Sequence, residues 1–527
     1  MQEYIPYGKT GYFNPLVTDF LAEEAQIRPF YTYSPVHPDF AAAIQARQQF
    51  NTPRAALVAA LEQQYKNLEP VTAVQENIQS LLQPQTFTVT TAHQPNIFTG
   101  YLYFVYKILQ TVKLAENLRQ QYPQHNFVPV YYMGSEDNDL EELGSIYLEG
   151  KSLSWAAGQE GPVGRMRPDG LEQLIDEVKN ILGYAPHAAE LITLLRNAYL
   201  EHNNIQDATL YLVHALFGRF GLVVLVPDNP DLKRLYLPVM KDELFQQASH
   251  NIVNATLEKL GEHYKVQANP REINLFYLQD GLRERIVQEG DQWKVLHTPL
   301  KFDAAALEAE LEAHPERFSP NVILRGMFQE TVLPNIAFIG GGGEIAYWLE
   351  LKQLFARYGV PYPVLLLRNS LLLVDEVSAQ RMNKLELSIT ELFKSTDDIV
   401  NDFVKKYTNA SLVLKDEYAA IEKLYDALEE KARSIDITLV ASAGAERTRA
   451  LKSIGKMEHK FLRAEKKKFA WQTDQIKQIK SRLFPGGSLQ ERKENFMPWY
   501  AAEGAGFFDR IIAALEPVTD KFLIITN

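Results

Sequence analysis

The sequence contains no cysteine at all. That absence excludes disulfides, a cysteine nucleophile and thiolate metal sites together. Chance loss in a reducing compartment is one reading. Another is that the protein handles thiols and gains from carrying none that could be trapped in mixed disulfides. Long apolar runs are missing too. LVVLV at 222–226 and VLLL at 364–367 are the longest, far too short to span a bilayer. The N-terminus MQEYIPYGKTGYF lacks a basic stretch leading into an apolar one, so no secretory signal is expected and the chain is expected in the cytoplasm. Excess positive charge is also absent. A formal net charge of −12 argues against binding long nucleic acid nonspecifically. No GxxxxGK[ST] and no GxGxxG at a strand end occurs.

What is present is a chain of 527 residues, 46% hydrophobic, enough for roughly three or four structural units at ~150 residues each. Short β-like runs at Phe87–Thr91, Phe127–Tyr132, Leu222–Pro227 and Pro363–Leu367 alternate with helical patterns. This predicts an α/β protein with a doubly wound parallel sheet. The expected core is 1–151, 204–264 and 319–376. Insertions are expected at 152–203, which opens GQEGPVGRMRPDG, and at 265–318, with strand candidates INLFYL and WKVLH and the helix candidate FDAAALEAELEAHPERF. From 377 to 484 the pattern changes. Tyr418, Ile421, Tyr425, Leu428, Ala432, Ile435 and Leu439 follow three- and four-residue steps. Ser442-Ala443-Gly444 offers a turn, and a second helical stretch runs to Leu483. The expectation is an antiparallel helical coiled coil with arms of 30 or more residues, roughly 45 Å each at 1.5 Å per residue, closed by Phe484-Pro485-Gly486-Gly487. Its spare outer faces predict a homodimer. Residues 485–527 are expected to return to the core.

Three polar clusters carry candidate chemistry. In FTVTTAHQPNIFTGYLYFVYK (87–107), strand gives way to loop and then to an amphipathic helix lasting to about Arg119. His93, Gln94, Asn96, Thr99 and Gly100 then lie at a strand's carboxyl end, where helix N–H groups favour anions. The spacing of His93 and Asn96 is reminiscent of class I nucleotidyl transferases, in which an imidazole stabilises phosphate charge. Glu136, Asp137, Asn138 and Asp139, then Glu141 and Glu142, follow the strand FVPVYY. Such carboxylates can hold an amine or accept a proton. The third cluster is Asn321, Arg325, Gln329 and Glu330, then four glycines (Gly340, Gly341, Gly342, Gly343) with Glu344 and Tyr347 beyond. The glycines allow positive φ and an anion-cradling backbone ahead of a helix from Ile345 to about Ala356, and Arg325 can clamp a carboxylate or phosphate. Arg165, on the first insertion, is a further anion-binding candidate. No metal site is evident.

Taken together, these clusters resemble the bacillithiol-biosynthesis cysteine-adding enzyme family (BshC). TAHQPNIFTGYLY is similar to the family's TGQQxGLxTGPxY. Residues 136–142 are similar to its EDHDxxE, Asn321–Tyr347 to its NVLLRPxxQDxxLPTxAYxGGPxEIAY block, and LQERKENF at 489–496 to its LQERxxNF. Departures include His93 for glutamine, Asn96 for glycine and Asn138 for the histidine of EDHD, which removes that histidine as a base. The resemblance implies a Rossmann-like core, two connecting insertions and a coiled coil that dimerises. It implies the final step of bacillithiol synthesis, a ligase joining L-cysteine to the amine of glucosaminyl malate through an amide bond. It carries His93, Gln94, Asn96, Thr99, Glu136, Asp137, Asp139, Arg325, Gln329 and Glu344 into the site. On this reading His93, Asn96, Asp137 and Asp139 are the catalytic candidates, and Gln94, Thr99, Gly100, Glu136, Arg165, Asn321, Arg325, Gln329, Gly341, Gly342, Glu344 and Tyr347 bind substrate or nucleotide. A free carboxylate is a poor acyl donor, so an activating nucleotide such as ATP fits the chemistry, while the residues identify no cofactor. The rival readings are a class I-like nucleotide-dependent transferase or ligase acting on another amine and carboxylate pair, and a non-catalytic coiled-coil scaffold.

Overall fold

In the computed structural model, which describes residues 2–408 and 412–526, the chain divides into two compact units. One comprises Gln2–Leu372 with Leu489–Ile525, and the other is built on Leu373–Ser488.

The first unit is organised by an all-parallel sheet of β1 (Thr86–His93), β2 (Asn126–Met133), β3 (Val223–Leu225), β4 (Asn335–Gly340) and β5 (Val364–Leu367). Their spatial order is β5-β4-β1-β2-β3. Register runs from Thr86 opposite Asn126 to His93 opposite Met133, and on the other side Ile339 lies opposite Thr91. The order of strands therefore reverses between β1 and β4. At such a switch point the two neighbouring crossovers leave on opposite faces, which opens a crevice beyond the strands' carboxyl ends.

Alternation along β1 explains how both faces are filled. Phe87 and Val89 join Phe127, Leu114, Leu118, Val364 and Leu366 in an apolar core. Thr88 and Thr90 face a polar layer instead. The Thr90 hydroxyl donates to Asn335 Oδ1 at 2.8 Å, Asn335 Nδ2 donates to Glu330 Oε1 at 2.7 Å, and Arg47 pairs with Glu330 at 2.7 Å. Thr90, Asn335 and Glu330 are linked in this way and Arg47 neutralises the Glu330 charge, so burial of the layer is compatible with a stable fold.

Both insertions are present. The first holds helices Leu171–Leu182 and Ala188–Leu200, preceded by a hairpin of Ser145–Leu148 and Lys151–Ser154. The second is an antiparallel sheet in which Leu275–Gln279 and Gln292–Val295 flank Leu282–Glu289. That central strand escapes a reading for apolar runs because LRERIVQE keeps only Ile286 fully buried. The expected helix in this insertion is Ala304–Ala313. The chain ends also meet: Gln2–Pro6 pairs antiparallel with Lys521–Thr526, Gln2 opposite Ile525.

In the second unit, helix Lys415–Ile435 and helix Thr438–Lys468 form the antiparallel hairpin. Arg447 reaches Asp426 at 2.9 Å, and the Leu414 N–H donates to Glu458 at 2.9 Å. The turn is not at Ser442–Gly444, which lies inside the second helix, but at Asp436-Ile437. Asp436 Oδ1 accepts from the N–H and hydroxyl of Thr438 and so starts the new helix. A single glycine costs a helix only about 1 kcal/mol, and Gly444 faces Glu429 of the opposite arm. The first arm is accordingly 21 residues, shorter than expected. After Lys468 the chain continues in helix Ala470–Leu483, and Pro485–Gly487 ends it as expected.

Candidate active site at the switch point

A cavity of about 530 Å³ opens beyond the carboxyl ends of β1, β2, β4 and β5, where the strand order reverses. His93 and Gln94 reach it from β1, Gly134 from β2, Gly341–Glu344 from β4 and Arg368 from β5. Arg325 and Tyr347 enter from α1 (Val322–Val332) and α2 (Gly342–Leu349).

Cations dominate the lining. Arg325, Arg368 and Arg492 all reach the cavity. Arg368 is buried, paired with Glu491 at 2.7 Å and stacked over Tyr103. Arg325 differs from it. No carboxylate lies within ion-pair distance among the described residues. Burial alone would lower its pKa, but Tyr347, Asp137 and Tyr132 keep it charged. A Cβ on Gly134 would sit 3.2 Å from Arg325 Nη1, so this glycine gives the guanidinium its room. A planar fork held this way suits a carboxylate or phosphate.

His93 is buried, with Nε2 unpartnered and its ring against Tyr103 and Phe104. Burial, then Lys107, Arg325 and Arg368, push its pKa well below the ordinary imidazole value. The ring is therefore neutral at pH 7. A neutral imidazole can hydrogen-bond a developing oxyanion but is a weak proton acceptor.

Beneath it, Lys107 donates to Ala92 O at 2.6 Å and pairs with Glu344 at 2.5 Å. Glu344 also accepts the Gly341 N–H at 2.8 Å, which orients the start of α2. None of Gly340–Gly343 has positive φ, contrary to the sequence expectation. They serve close approach instead: a Cβ on Gly342 would meet Val17 at 3.0 Å, and one on Gly340 would meet Phe338 at 2.8 Å. The helix begins at Gly342 and breaks at Leu349, with Lys352–Tyr358 following.

Other predicted residues fall outside the cavity. Asn96 and Thr99 are buried within the loop after β1 and do not line it. Phe98 and Thr99 have φ of 51° and 68°, and the Asn495 side chain holds the loop by donating to Phe98 O and Gly100 O. Gly100 also has positive φ, and a Cβ there would meet Asn96 Cβ at 2.8 Å. Gln329 is buried and donates to Glu330, inside the polar layer under the sheet. Asn321 caps α1 and donates to Asn274 at 2.9 Å. Arg165 is bound to Asp228 through two contacts, at 2.7 and 2.8 Å, and to Asp280.

The acidic segment separates by partner. Glu136 is paired with Lys233 and accepts from Ser319. Asp139 caps the turn Leu140–Leu143. Asp137 accepts from Gln94 at 3.2 Å. Burial would raise its carboxyl, but Arg325, Arg283, Gln94 and the Asp139 N–H hold it below the usual range.

Four lining or supporting residues were not foreseen: Tyr103, Lys107, Arg368 and Arg492, whereas Glu142 of the acidic cluster does line the cavity. Tyr103 and Lys107 are four apart, on one face of the helix after the loop. Arg368 is the first polar residue after its strand. Both facts were readable in the sequence.

Two family models match the chain. Residues 1–369 match the N-terminal Rossmann-like domain of bacillithiol biosynthesis BshC, and residues 371–527 match its C-terminal coiled-coil domain. A protein of Flavobacterium johnsoniae named "Putative cysteine ligase BshC" is 40% identical over 524 residues, 99% of each chain. One of the same name from Flavobacterium psychrophilum is 39% identical over 526 residues, again 99% of each. A solved structure titled "putative arginyl t-RNA synthetase" from Campylobacter jejuni covers 80% of this chain and 100% of its own, at 14% identity and a TM-score of 0.22. No helix among the described residues is long and apolar enough to cross a membrane.

Proposed function

The chain belongs to the BshC family of bacillithiol biosynthesis and is a ligase; on that premise we propose that it joins the carboxyl of L-cysteine to the amine of glucosaminyl malate. The observation that carries this reading is Arg325, a guanidinium with no carboxylate partner among the described residues, beside Arg368 and Arg492 in the switch-point cavity. Glucosaminyl malate bears two carboxylates on one short acid, which matches a site with several convergent cations. Arg325 takes one of them bidentately, assisted by Tyr347. His93, neutral and unpartnered at Nε2, hydrogen-bonds the oxygen on which negative charge builds as the amide forms. The enzyme works in the cytoplasm as a homodimer through its coiled coil.

The test is a thiol-metabolite profile, by fluorescent labelling and mass spectrometry, of cells with and without the gene. Loss of bacillithiol with accumulation of glucosaminyl malate is expected, and complementation should restore the thiol. Unchanged bacillithiol in the deletion strain would overturn the reading.

A further inference from the structure

Amide formation needs an amine with a free lone pair, and an amino-sugar ammonium must first lose a proton. The structure narrows the choice of acceptor. His93 is held neutral by burial and surrounding cations and is a poor base. Glu136 is engaged by Lys233, and Asp137 by Gln94 and the Asp139 N–H. Asp139 is committed to capping the next turn.

Two carboxylates line the cavity itself, Glu142 and Glu344. Glu344 accepts from both Lys107 and the Gly341 N–H. Glu142 is fixed through its backbone, whose N–H donates to Asp139 at 3.0 Å, while its carboxylate has no hydrogen-bond or ion-pair partner among the described residues. It sits on the short turn Leu140–Leu143, is exposed, and lines the same cavity as Arg325, Arg368 and Arg492. A substrate whose carboxylates lie on those arginines can present its amine to Glu142 within the same cavity.

We propose that Glu142 is the catalytic base: its carboxylate binds the ammonium of the amino sugar and accepts one proton from it. The step balances as R–NH3+ and Glu142 carboxylate going to R–NH2 and protonated Glu142, with the freed nitrogen lone pair as the nucleophile of amide formation. Burial, then Asp139 and Asp137, raise the Glu142 carboxyl above the ordinary value, which brings it closer to the ammonium it must deprotonate. Tyr103 is the further titratable group that senses this charge, and its own pKa lies far above neutrality. The assignment rests on the amide-forming reading above.

Two measurements on the full-length enzyme separate the assignment from that premise. In the first, Glu142→Gln should lower kcat by roughly 10²-fold or more, the range expected for a lost general base, and remove the acid limb of the pH profile of kcat/KM. Glu142→Asp should recover part of the rate. Wild-type turnover in Glu142→Gln, or a loss that leaves the acid limb in place, overturns the assignment. In the second, calorimetry compares glucosaminyl malate with its N-acetylated form, which has no ammonium. The wild type should prefer the free amine, and Glu142→Gln should lose that preference. Preference without any turnover in the wild type would defeat the proposed reaction while keeping Glu142 as the ammonium site. No preference in the wild type overturns the role of Glu142.

Discussion

Arg368 and Glu491 meet at 2.7 Å in the interior, joining the end of β5 to the segment LQERKENF that follows the helical unit in sequence. The contact is an ion pair by distance rather than a well-angled hydrogen bond, and Glu491 also accepts the Leu371 N–H at 3.0 Å. Glu491→Ala leaves a buried guanidinium uncompensated. Removing one partner of such a pair costs about 3–5 kcal/mol. A clear drop in the urea midpoint is expected, with Glu491→Gln falling between. A midpoint unchanged in Glu491→Ala would show that the pair does not support the fold.

Glu350 provides a pH dependence with a definite sign. Its carboxylate accepts the N–H groups of Gln267, at 2.7 Å, and Ala268, and so anchors a segment whose Gln267 lines the cavity. Burial outweighs those two donors and pushes the carboxyl up to about 7 from 4.5. The native state therefore keeps a proton between about pH 4.5 and 7 that the unfolded chain releases. Stability from this group is full below that window and is lost as pH rises through it, by roughly 3 kcal/mol at 1.36 kcal/mol per unit. Glu350→Gln should flatten that fall. Parallel stability curves for wild type and variant between pH 4.5 and 8 would refute the assignment.

The parallel strands and the helical hairpin were legible because their signals are local: apolar runs, and apolar residues at helical spacing. The site was legible only in part. His93, Arg325 and Glu344 stand at strand ends or on a helix beside them, so position along the chain found them. Gln329 and Glu136 carry the same residue types but turn into buried networks, and only the fold decides which way a polar side chain points. Asn495 shows the opposite case. It lies 395 positions from Gly100, whose carbonyl it binds, and no periodicity connects them. The hairpin turn was misplaced for a different reason. Small residues at 441–445 look like a loop in composition, but a helix accepts them where the partner arm approaches closely.

Arg325 should be irreplaceable by lysine. A lysine keeps the charge but loses the planar fork that engages a carboxylate at two points. Loss of a charge-assisted contact is worth about 1.5–3 kcal/mol, or roughly 10- to 100-fold. Arg325→Lys and Arg325→Ala should both raise KM for glucosaminyl malate by that factor, followed by mass-spectrometric detection of product. The Asp137 carboxyl should also rise in Arg325→Ala, where no cation remains at that position, and stay low in Arg325→Lys. An unchanged KM would remove Arg325 from the substrate site.

The helical hairpin makes the last prediction. Neither Lys415–Ile435 nor Thr438–Lys468 contains a fully buried residue. Tyr418, Ile421 and Tyr425 are half-buried, whereas Leu424 (57% exposed), Leu428 (42%) and Ile435 (73%) stand open to solvent. Large apolar side chains at four- and seven-residue steps on one helix form a stripe that a second helix can cover. If two copies of the hairpin cover each other's stripes, Leu424→Glu with Leu428→Glu should convert a dimer to a monomer in sedimentation velocity. The fold should survive, since neither leucine is buried. A wild type that sediments as a monomer at micromolar concentration, or a double variant that remains dimeric, would rule this stripe out as the dimer contact.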